Sequence, residues 1–248
     1  MVDHPDAAEL YDRQHADADR GDAAFYRDLA TSLDGSTLEL ACGTGRVHLE
    51  LLAAGVDADG IDLDADSLDR LRAKADERGL DPSVWQADML EFDADRAYDL
   101  VICPFNTVQH AKTVADQRQL LETVHDALAP GGRFVFDTFV PGFDVICETY
   151  GEWREQAIEH EGRTYTHRTR ARVVDQVEQQ FEVENVTESP DGVVVHEASH
   201  RLSMLPKQQV ELLARDSPFA AWSVEAGFDG GELTPEDTVQ VWTLEKAE

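Results

Sequence analysis

Hydrophobic residues follow two alternating patterns over the first 140 positions. Short apolar runs typical of buried strands are followed by stretches with apolar residues three and four positions apart, as in amphipathic helices. The predicted strands are 37–41, 56–62, 84–87, 98–103 and 133–139. The predicted helices are a helical region within 1–34, the run carrying Val47, Leu49, Leu51 and Leu52 up to Gly55, and then 65–78 and 116–129, the last ended by Pro130-Gly131-Gly132. This alternation predicts a parallel sheet with helices on both faces.

The pattern changes to a period of two between about 143 and 205, where we predict four strands and no helix. These strands are 151–160, 163–174, 177–189 and 193–204. In the second strand one face carries Tyr165, His167, Thr169, Ala171 and Val173, and the other carries Arg168, Arg170 and Arg172. In the third strand Val177, Phe181 and Val183 oppose Glu178, Glu182 and Glu184, so we expect the Arg and Glu rows to pair across strands.

The chain returns to a helix at 207–215 and to strands near 219–226 and 238–245. We therefore predict one α/β domain over 1–248, with a Rossmann-like core formed by 1–142 and 206–248. An antiparallel β-meander, 143–205, is inserted after strand five. Because it leaves the core at the carboxyl edge of the sheet, we expect this meander to cover the mouth of a ligand crevice, with its charged face turned to solvent or to a second subunit.

Acidic residues outnumber basic ones by 51 to 21, which gives a formal net charge of −30. The acids are spread along the whole chain, so they repel one another in dilute salt and are screened in concentrated salt. A salt-rich cytoplasm is the expected location. No basic stripe is present to neutralise phosphates, which argues against a nucleic acid or an anionic membrane as partner.

Cysteine usage and the N-terminus both point to an intracellular protein without a structural disulfide or a metal site. The three cysteines are far apart and form no CxxC pair. The first ten residues resemble no signal peptide, and no later apolar run is long enough for a membrane helix. A zinc site built from His160, His167, His196 and His200 would match no known spacing, so we expect none.

A glycine-rich turn between the first strand and the next helix is the first candidate ligand site. It reads Glu39-Leu-Ala-Cys-Gly43-Thr-Gly45. Such a turn lets a ligand approach the backbone and directs helix N–H groups toward it. A dinucleotide fingerprint would need a third glycine where His48 stands. Glu39 is placed instead to attract a cationic amino group.

Two further acids follow the next two strands. Asp62 ends strand two, where a carboxylate can accept hydrogen bonds from both ribose hydroxyls, and Asp64 or Asp66 is the better cap for the following helix. Asp88, before Met89, follows strand three, where it can accept from an adenine amino group. Open α/β sheets bind ligands at the carboxyl ends of their strands, so these acids should line one site.

The segments LELACGTGR, GIDLD, QADMLEF, YDLVICPFNTVQH and LAPGGRFVFDTF, in this order, resemble the motifs of class I S-adenosylmethionine-dependent methyltransferases. The resemblance covers 37–139 densely and implies a seven-stranded sheet. The N-terminal Tyr11-Asp12 and Phe25-Tyr26, with the inserted sheet, resemble the small-molecule branch, which includes nucleotide-aminosugar N-methyltransferases. Nucleic-acid amino-methyltransferases carry D/N-P-P-Y/F where this chain has Cys103-Pro104-Phe105-Asn106, and that departure counts against base methylation.

The resemblance also implies roles for individual residues toward S-adenosyl-L-methionine. The cofactor-contacting set is Tyr11, Glu39, Ala41, Gly43, Thr44, Gly45, Asp62, Leu63, Asp88, Met89, Phe105 and Asn106. Within it the glycines approach the methionyl end, Phe105 and Asn106 line the sulfonium, and Tyr11 closes over it. His110 is the candidate general base, because histidine suits proton transfer near neutral pH. Tyr165, His167, His196 and His200 are candidate substrate contacts on alternation alone.

We therefore expect a methyltransferase acting on N, O or C of a small molecule. Two alternatives stay open. One is a binding or regulatory protein that keeps the cofactor site without turnover, since methyl transfer requires no single side chain. The other is a nicotinamide-dependent oxidoreductase, which the missing third glycine and Glu39 disfavour. A homodimer is compatible with the sequence.

Overall fold

The structure is a computed structural model that describes Glu9, Leu10, Asp12, Arg13 and 20–248. The chain divides into two compact units. The larger comprises 20–140 and 205–248, and the smaller comprises 141–204 with the described residues before Arg20. That the chain forms a single domain stays a prediction.

A mixed seven-stranded sheet forms the larger unit. Its strands lie in the order β10-β11-β5-β4-β1-β2-β3, in which β1 to β5 are parallel and β11 runs antiparallel to its neighbours. The strands are β1 Thr37–Leu40, β2 Ala58–Asp62, β3 Ser83–Gln86, β4 Tyr98–Cys103, β5 Leu128–Phe139, β10 Ala221–Ala226 and β11 Val239–Glu245. The helices are α1 Asp22–Leu33, α2 His48–Ala53, α3 Ala65–Arg78, α4 Val114–Ala127 and α6 Lys207–Asp216, with a 3-10 helix at Thr107–His110. This confirms the Rossmann-like fold class.

Burial explains why these segments form these elements. β1 is buried along its whole length, and α3 buries Leu68, Leu71 and Ala75, as its spacing predicts. Asp64 caps α3, because its carboxylate accepts from the backbone N–H of Ser67 at 3.2 Å. The strand order reverses between β1 and β4, and such a switch point opens a crevice at the carboxyl ends of the strands.

Strand β5 begins earlier than predicted and includes the Pro130-Gly131-Gly132 segment. The pairing of β4 with β5 shifts register there, as in a β-bulge. A Cβ at Gly132 would lie 2.9 Å from the carbonyl oxygens of Ala129 and Tyr98, so glycine is needed for this close backbone approach. The three residues therefore shape a bulge inside a strand, whereas the sequence suggested only the end of a helix.

The smaller unit is a four-stranded antiparallel meander in the order β6-β7-β8-β9, as predicted. Its strands are β6 Arg154–His160, β7 Arg163–Asp175, β8 Gln180–Glu188 and β9 Val194–Ser203. The prediction of no helix over 143–205 is wrong, because α5 spans Phe143–Thr149. None of the described residues of α5 is buried, and Phe143 is 80% exposed, so no apolar period marks this helix.

The charged face of the meander is paired across strands, which confirms the expected Arg and Glu rows. Arg170 and Arg172 bind Glu184, at 2.7 and 3.0 Å, and Arg172 also pairs with Glu182. The third strand of the meander, β8, starts at Gln180 rather than at the predicted position 177, however. Glu178 precedes it, in the turn stabilised by the Asp175 carboxylate, which accepts from two backbone N–H groups. Val177 lies in the same turn, 86% exposed, rather than on the apolar face.

Candidate active site at the carboxyl edge of the sheet

The glycine turn after β1 is built from residues with left-handed backbone. Ala41, Gly43 and Gly45 have φ values of +53°, +54° and +87°. Among the described atoms, a Cβ at Gly43 would approach only Asp62 Oδ2, at 3.9 Å, whereas one at Gly45 would lie 2.8 Å from Leu71 Cγ. Gly43 therefore leaves the open approach that a ligand needs, and Gly45 is required by packing. Thr44 is buried between them.

Asp62 ties the end of β2 to the glycine turn. Its Oδ2 accepts from the backbone N–H of Gly43 at 2.8 Å, and its Oδ1 accepts from that of Asp64 at 2.8 Å. Burial raises the pKa of Asp62, and these backbone N–H groups oppose the rise. Each carboxylate oxygen can accept more than one hydrogen bond, so Asp62 can hold the turn and also receive two ligand hydroxyls.

Glu39 is buried beneath the turn and faces the residue that replaces the third glycine. Its Oε2 lies 3.2 Å from His48 Nδ1, and both side chains are almost fully buried. Burial raises the pKa of Glu39, and His48 opposes the rise. His48 packs on Gly60 of β2, where a Cβ would lie 3.0 Å from His48 Cε1. The predicted attraction of Glu39 for an ammonium group stays a prediction, and the histidine explains its burial.

The third acid follows β3, which pairs in parallel with β2. Asp88 Oδ1 accepts from the backbone N–H of Leu90 at 2.9 Å, and Met89 packs against the core. Leu63, directly after Asp62, is 66% exposed. An exposed leucine next to a carboxylate offers an apolar surface beside polar acceptors. The acids at successive strand ends therefore share the carboxyl edge of one sheet, as expected.

Two consecutive residues with side chains and left-handed backbone follow strand β4, directly after Pro104. Phe105 and Asn106 have φ values of +66° and +59°. Asp137 of β5 accepts from their backbone N–H groups, at 2.8 and 3.2 Å, and from the hydroxyl of Tyr26 at 2.8 Å. The Asn106 Oδ1 atom is buried and has no hydrogen-bond partner among the residues that the structure describes. Such an orphaned acceptor fits a donor supplied by a ligand.

Two arginines flank Phe105, and neither was predicted as a site residue. The guanidinium carbons of Arg20 and Arg46 lie 4.6 and 5.0 Å from the ring centroid. Arg46 forms a two-pronged ion pair with Asp22, at 2.6 and 2.7 Å. Burial disfavours the ionised form of Asp22, but the Arg46 guanidinium outweighs it and holds the pKa of Asp22 below its ordinary value. These cations place positive charge beside the glycine turn.

His110 ends the 3-10 helix after β4 and is exposed, so its side chain is accessible to solvent. It follows Phe105 and Asn106 by only a few residues, which keeps it near the same strand end. Its role as a general base stays a prediction. Tyr11 lies outside the described residues.

The four candidate substrate contacts lie in the smaller unit. Tyr165 and His167 are buried, His196 is half-buried and His200 is exposed. His167 and His196 both pair with Thr187 in the strand register, so they share one face, and His167 Nδ1 lies 2.9 Å from Thr187 Oγ1. Burial lowers the pKa of His196, with a further contribution from His200. Their contact with a substrate stays a prediction.

Two further properties of the described residues bear on function. They contain no helix with the length and apolar character that crossing a membrane requires. Within the same part of the chain, no three His, Cys, Asp or Glu side chains are grouped so that they could hold a metal ion.

Comparison with known proteins identifies similar chains. A family model described as a methyltransferase domain matches residues 37–132. The dTDP-3-amino-3,6-dideoxy-alpha-D-glucopyranose N,N-dimethyltransferase of Streptomyces fradiae is 30% identical over 221 residues, covering 82% of this chain and 80% of that protein.

Solved structures share the fold. An S-adenosylmethionine-dependent methyltransferase from Clostridium acetobutylicum has a TM-score of 0.79 at 16% identity, covering 97% of this chain and 98% of that one. DesVI from Streptomyces venezuelae has a TM-score of 0.75 at 21% identity, covering 99% and 100%. At these identities the likeness shows the fold alone.

Proposed function

We propose, from the premise that this chain belongs to the class I S-adenosylmethionine-dependent methyltransferases, that its acceptor is the amino group of an amino sugar carried by a nucleotide. The enzyme transfers a methyl group from S-adenosylmethionine to a small molecule. The proposed acceptor rests on the 30% identity, across 82% of the chain, to a dTDP-aminosugar N,N-dimethyltransferase.

The residues at the carboxyl edge fit the cofactor. We propose that Gly43 gives the backbone approach, that Asp62 accepts the ribose hydroxyls, and that Asp88 receives the adenine amino group. Leu63 supplies exposed apolar surface for the adenine ring. We propose that Arg46 and Arg20, which lie over the Phe105 ring, attract the cofactor's α-carboxylate.

The bound cofactor supplies an activated methyl group on a sulfonium, and the protein supplies orientation and proton transfer. We propose that Asn106 Oδ1, a buried acceptor, receives a hydrogen bond from the acceptor amine and so fixes its direction. His110 takes the proton that the amine must lose. This step is needed because only the neutral amine has a lone pair to donate to the methyl group. Holding the lone pair in line with the methyl group supplies much of the rate.

The two alternatives predict different behaviour. A silent binding protein would take up S-adenosylmethionine without releasing methylated product. A nicotinamide enzyme of the dinucleotide-fingerprint type would need a third glycine for close packing of the helix on the sheet, and that position is occupied by the buried His48. That burial supports the methyltransferase assignment.

The test is a product assay in molar KCl with S-adenosylmethionine and three acceptors. These are a dTDP-linked amino sugar, a catechol and a peptide with a free N-terminus. We expect one and then two methyl groups on the sugar nitrogen by mass spectrometry. Methylation of the catechol or the peptide in preference would overturn the proposed acceptor, and cofactor binding without any product would favour the silent protein.

We also propose a salt-rich cytoplasm as the location and a homodimer as the assembly. The net charge of −30 supports the first, because dense acidic surface needs screening. The paired Arg and Glu rows of β7 and β8 support the second, since a charge-balanced face can meet its own copy. Light scattering in molar KCl measures the assembly, and a monomer mass would contradict the dimer.

A further inference from the structure

We propose that Asp137 is a positioning residue for methyl transfer, which holds Phe105 and Asn106 in the left-handed conformation that the site requires. The proposal rests on the function above insofar as Phe105 and Asn106 line the reacting groups. Asp137 itself is fully buried, so it acts through these two residues rather than by touching substrate.

The backbone after β4 needs an external restraint. Residues with a Cβ rarely adopt φ near +60°, and here two adopt it in succession, Phe105 at +66° and Asn106 at +59°. Such strain persists only where surrounding structure holds it, and it clusters at functional sites. A group outside the turn must therefore hold these two residues in this conformation.

Asp137, on the neighbouring strand β5, holds this turn. Cys103 of β4 pairs with Phe136 of β5, so Asp137 lies level with the residues that follow β4. Its Oδ1 accepts from Phe105 N at 2.8 Å and its Oδ2 accepts from Asn106 N at 3.2 Å. One carboxylate therefore binds two successive amides, each through a different oxygen, and fixes the plane of the turn.

The carboxylate is itself held in place by two groups. Tyr26 of α1 donates its hydroxyl to Asp137 Oδ1 at 2.8 Å, and Arg20 lies 3.8 Å from Oδ2. The Arg20 guanidinium also lies over the Phe105 ring, at 4.6 Å from the centroid. Burial raises the pKa of Asp137, whereas Tyr26, the Phe105 amide and Arg20 favour its ionised form. Donors therefore approach the carboxylate from the strand end, from α1 and from Arg20.

Asp137→Asn is the decisive variant, because asparagine has one carbonyl oxygen and cannot accept from both amides in this geometry. Hydrogen exchange of the peptide 104–111, followed by mass spectrometry, reports the two amides directly. We expect them to exchange about ten-fold faster in the variant, since a charge-assisted hydrogen bond is lost. We expect kcat for the amino-sugar substrate to fall at least about ten-fold, with a smaller change in its KM, as positioning effects do.

A matched control exists at the opposite edge of the sheet. Asp59 accepts from the hydroxyl of Tyr98 at 2.8 Å and from Arg96 Nε at 2.9 Å, so it has the same kind of partners near the start of β2. Asp59→Asn should change stability while leaving the exchange of 104–111 and kcat unaltered. Equal effects of the Asp59 and Asp137 variants on both readouts would reduce Asp137 to a general stabilising residue.

A folded Asp137→Asn protein with wild-type exchange at 104–111 and wild-type kcat would overturn the proposal. If that variant does not fold, Tyr26→Phe removes one partner of the carboxylate and keeps the other contacts. It should accelerate exchange of 104–111 and lower kcat a few-fold, and an unchanged Tyr26→Phe protein would overturn the proposal equally. The exchange readout needs no substrate, so a wild-type enzyme inactive on the amino sugar would contradict the proposed function and leave the test of Asp137 intact.

Discussion

Replacing Asp62 with alanine tests the centre of the cofactor site. The wild-type carboxylate already accepts from the backbone N–H groups of Gly43 and Asp64, both at 2.8 Å. The substitution therefore removes the acceptor for the ribose hydroxyls and, in the same step, the bond that fixes Gly43 in the turn. We expect weaker binding of S-adenosylmethionine for both reasons.

The magnitude follows from the hydrogen bonds that are lost. A hydrogen bond to a charged group contributes about 1.5–3 kcal/mol, and each 1.4 kcal/mol is about ten-fold in affinity. Loss of one such bond predicts a Kd at least about ten-fold higher for Asp62→Ala. Asp62→Asn keeps one carbonyl oxygen for Gly43, so its loss should be smaller.

Titration calorimetry with S-adenosylmethionine and S-adenosylhomocysteine in molar KCl measures the effect. Asp64→Ala is the matched control, two residues away, because the Asp64 side chain caps α3 while its backbone N–H still serves Asp62. The control should lose about 1 kcal/mol of stability, as helix caps do, without loss of affinity. A folded Asp62→Ala protein with wild-type affinity would remove Asp62 from the cofactor site.

The pH dependence of binding gives a second check on the same carboxylate. Burial raises the pKa of folded Asp62 above its ordinary value of 3.8. Its ionised form is the better acceptor for hydroxyls, so affinity should decline as pH falls through that raised pKa. Folding stability should change in the opposite direction to affinity. A raised carboxyl pKa means that ionisation costs more free energy in the folded state than in the unfolded state, so this contribution to stability is lost as pH rises. An affinity that stays unchanged as the pH falls to 3.8 would contradict this assignment.

Surface charge, His110 and the pair of Arg46 with the buried Asp22 each lead to a measurable expectation. The melting temperature should rise as KCl replaces dilute buffer, because screening relieves repulsion between acids, and a constant value would contradict this. His110→Ala should lower kcat while leaving the cofactor Kd near wild type, and equal kcat would exclude it as the base. Asp22→Asn should lower the free energy of unfolding by about 1.5–3 kcal/mol at pH 7. The pKa of Asp22 is lowered in the folded state, so the wild type should keep that stability above about pH 3.8 and lose it only as pH falls from there toward the lowered pKa. Urea unfolding measured across pH tests both statements.

The elements with many buried residues were the ones that the sequence could predict. Strand β4 and helix α3 have the predicted bounds, 98–103 and 65–78. The apolar residues of α3 repeat with the period of a helix, and those of β4 form the short continuous run typical of a buried strand. The short helix α5 was missed because no residue in its described span is buried. The bulge at Gly132 was missed because a bulge depends on the register of a neighbouring strand.

The same distinction divides the candidate site. Local motifs predicted the glycine turn and Asp62, since a turn and a strand end are encoded by neighbouring residues. Asp137 was not predicted, because its partner Tyr26 is 111 residues away and Phe105 is 32 residues away. One signal was nevertheless available, since Asp137 interrupts the apolar run of β5, and a carboxylate inside a buried strand must be satisfied by donors.

Burial of the acidic partner distinguishes the arginines of the candidate site from the others in this chain. The chain has 51 acidic residues, so an aspartate in the sequence does not by itself indicate a site. It has only 21 basic residues, so few cations are available to pair with these acids. Arg46 pairs with the 1%-exposed Asp22, and Arg20 lies near the fully buried Asp137, although solvent-exposed acids are abundant. A buried carboxylate without a cation or donors is far more costly than an exposed one, so the few arginines have most effect where acids are enclosed. Arg46, directly after the glycine turn, has such an enclosed partner in Asp22, whereas Arg163 pairs with an exposed acid, so burial of the partner distinguishes the arginine at the candidate site.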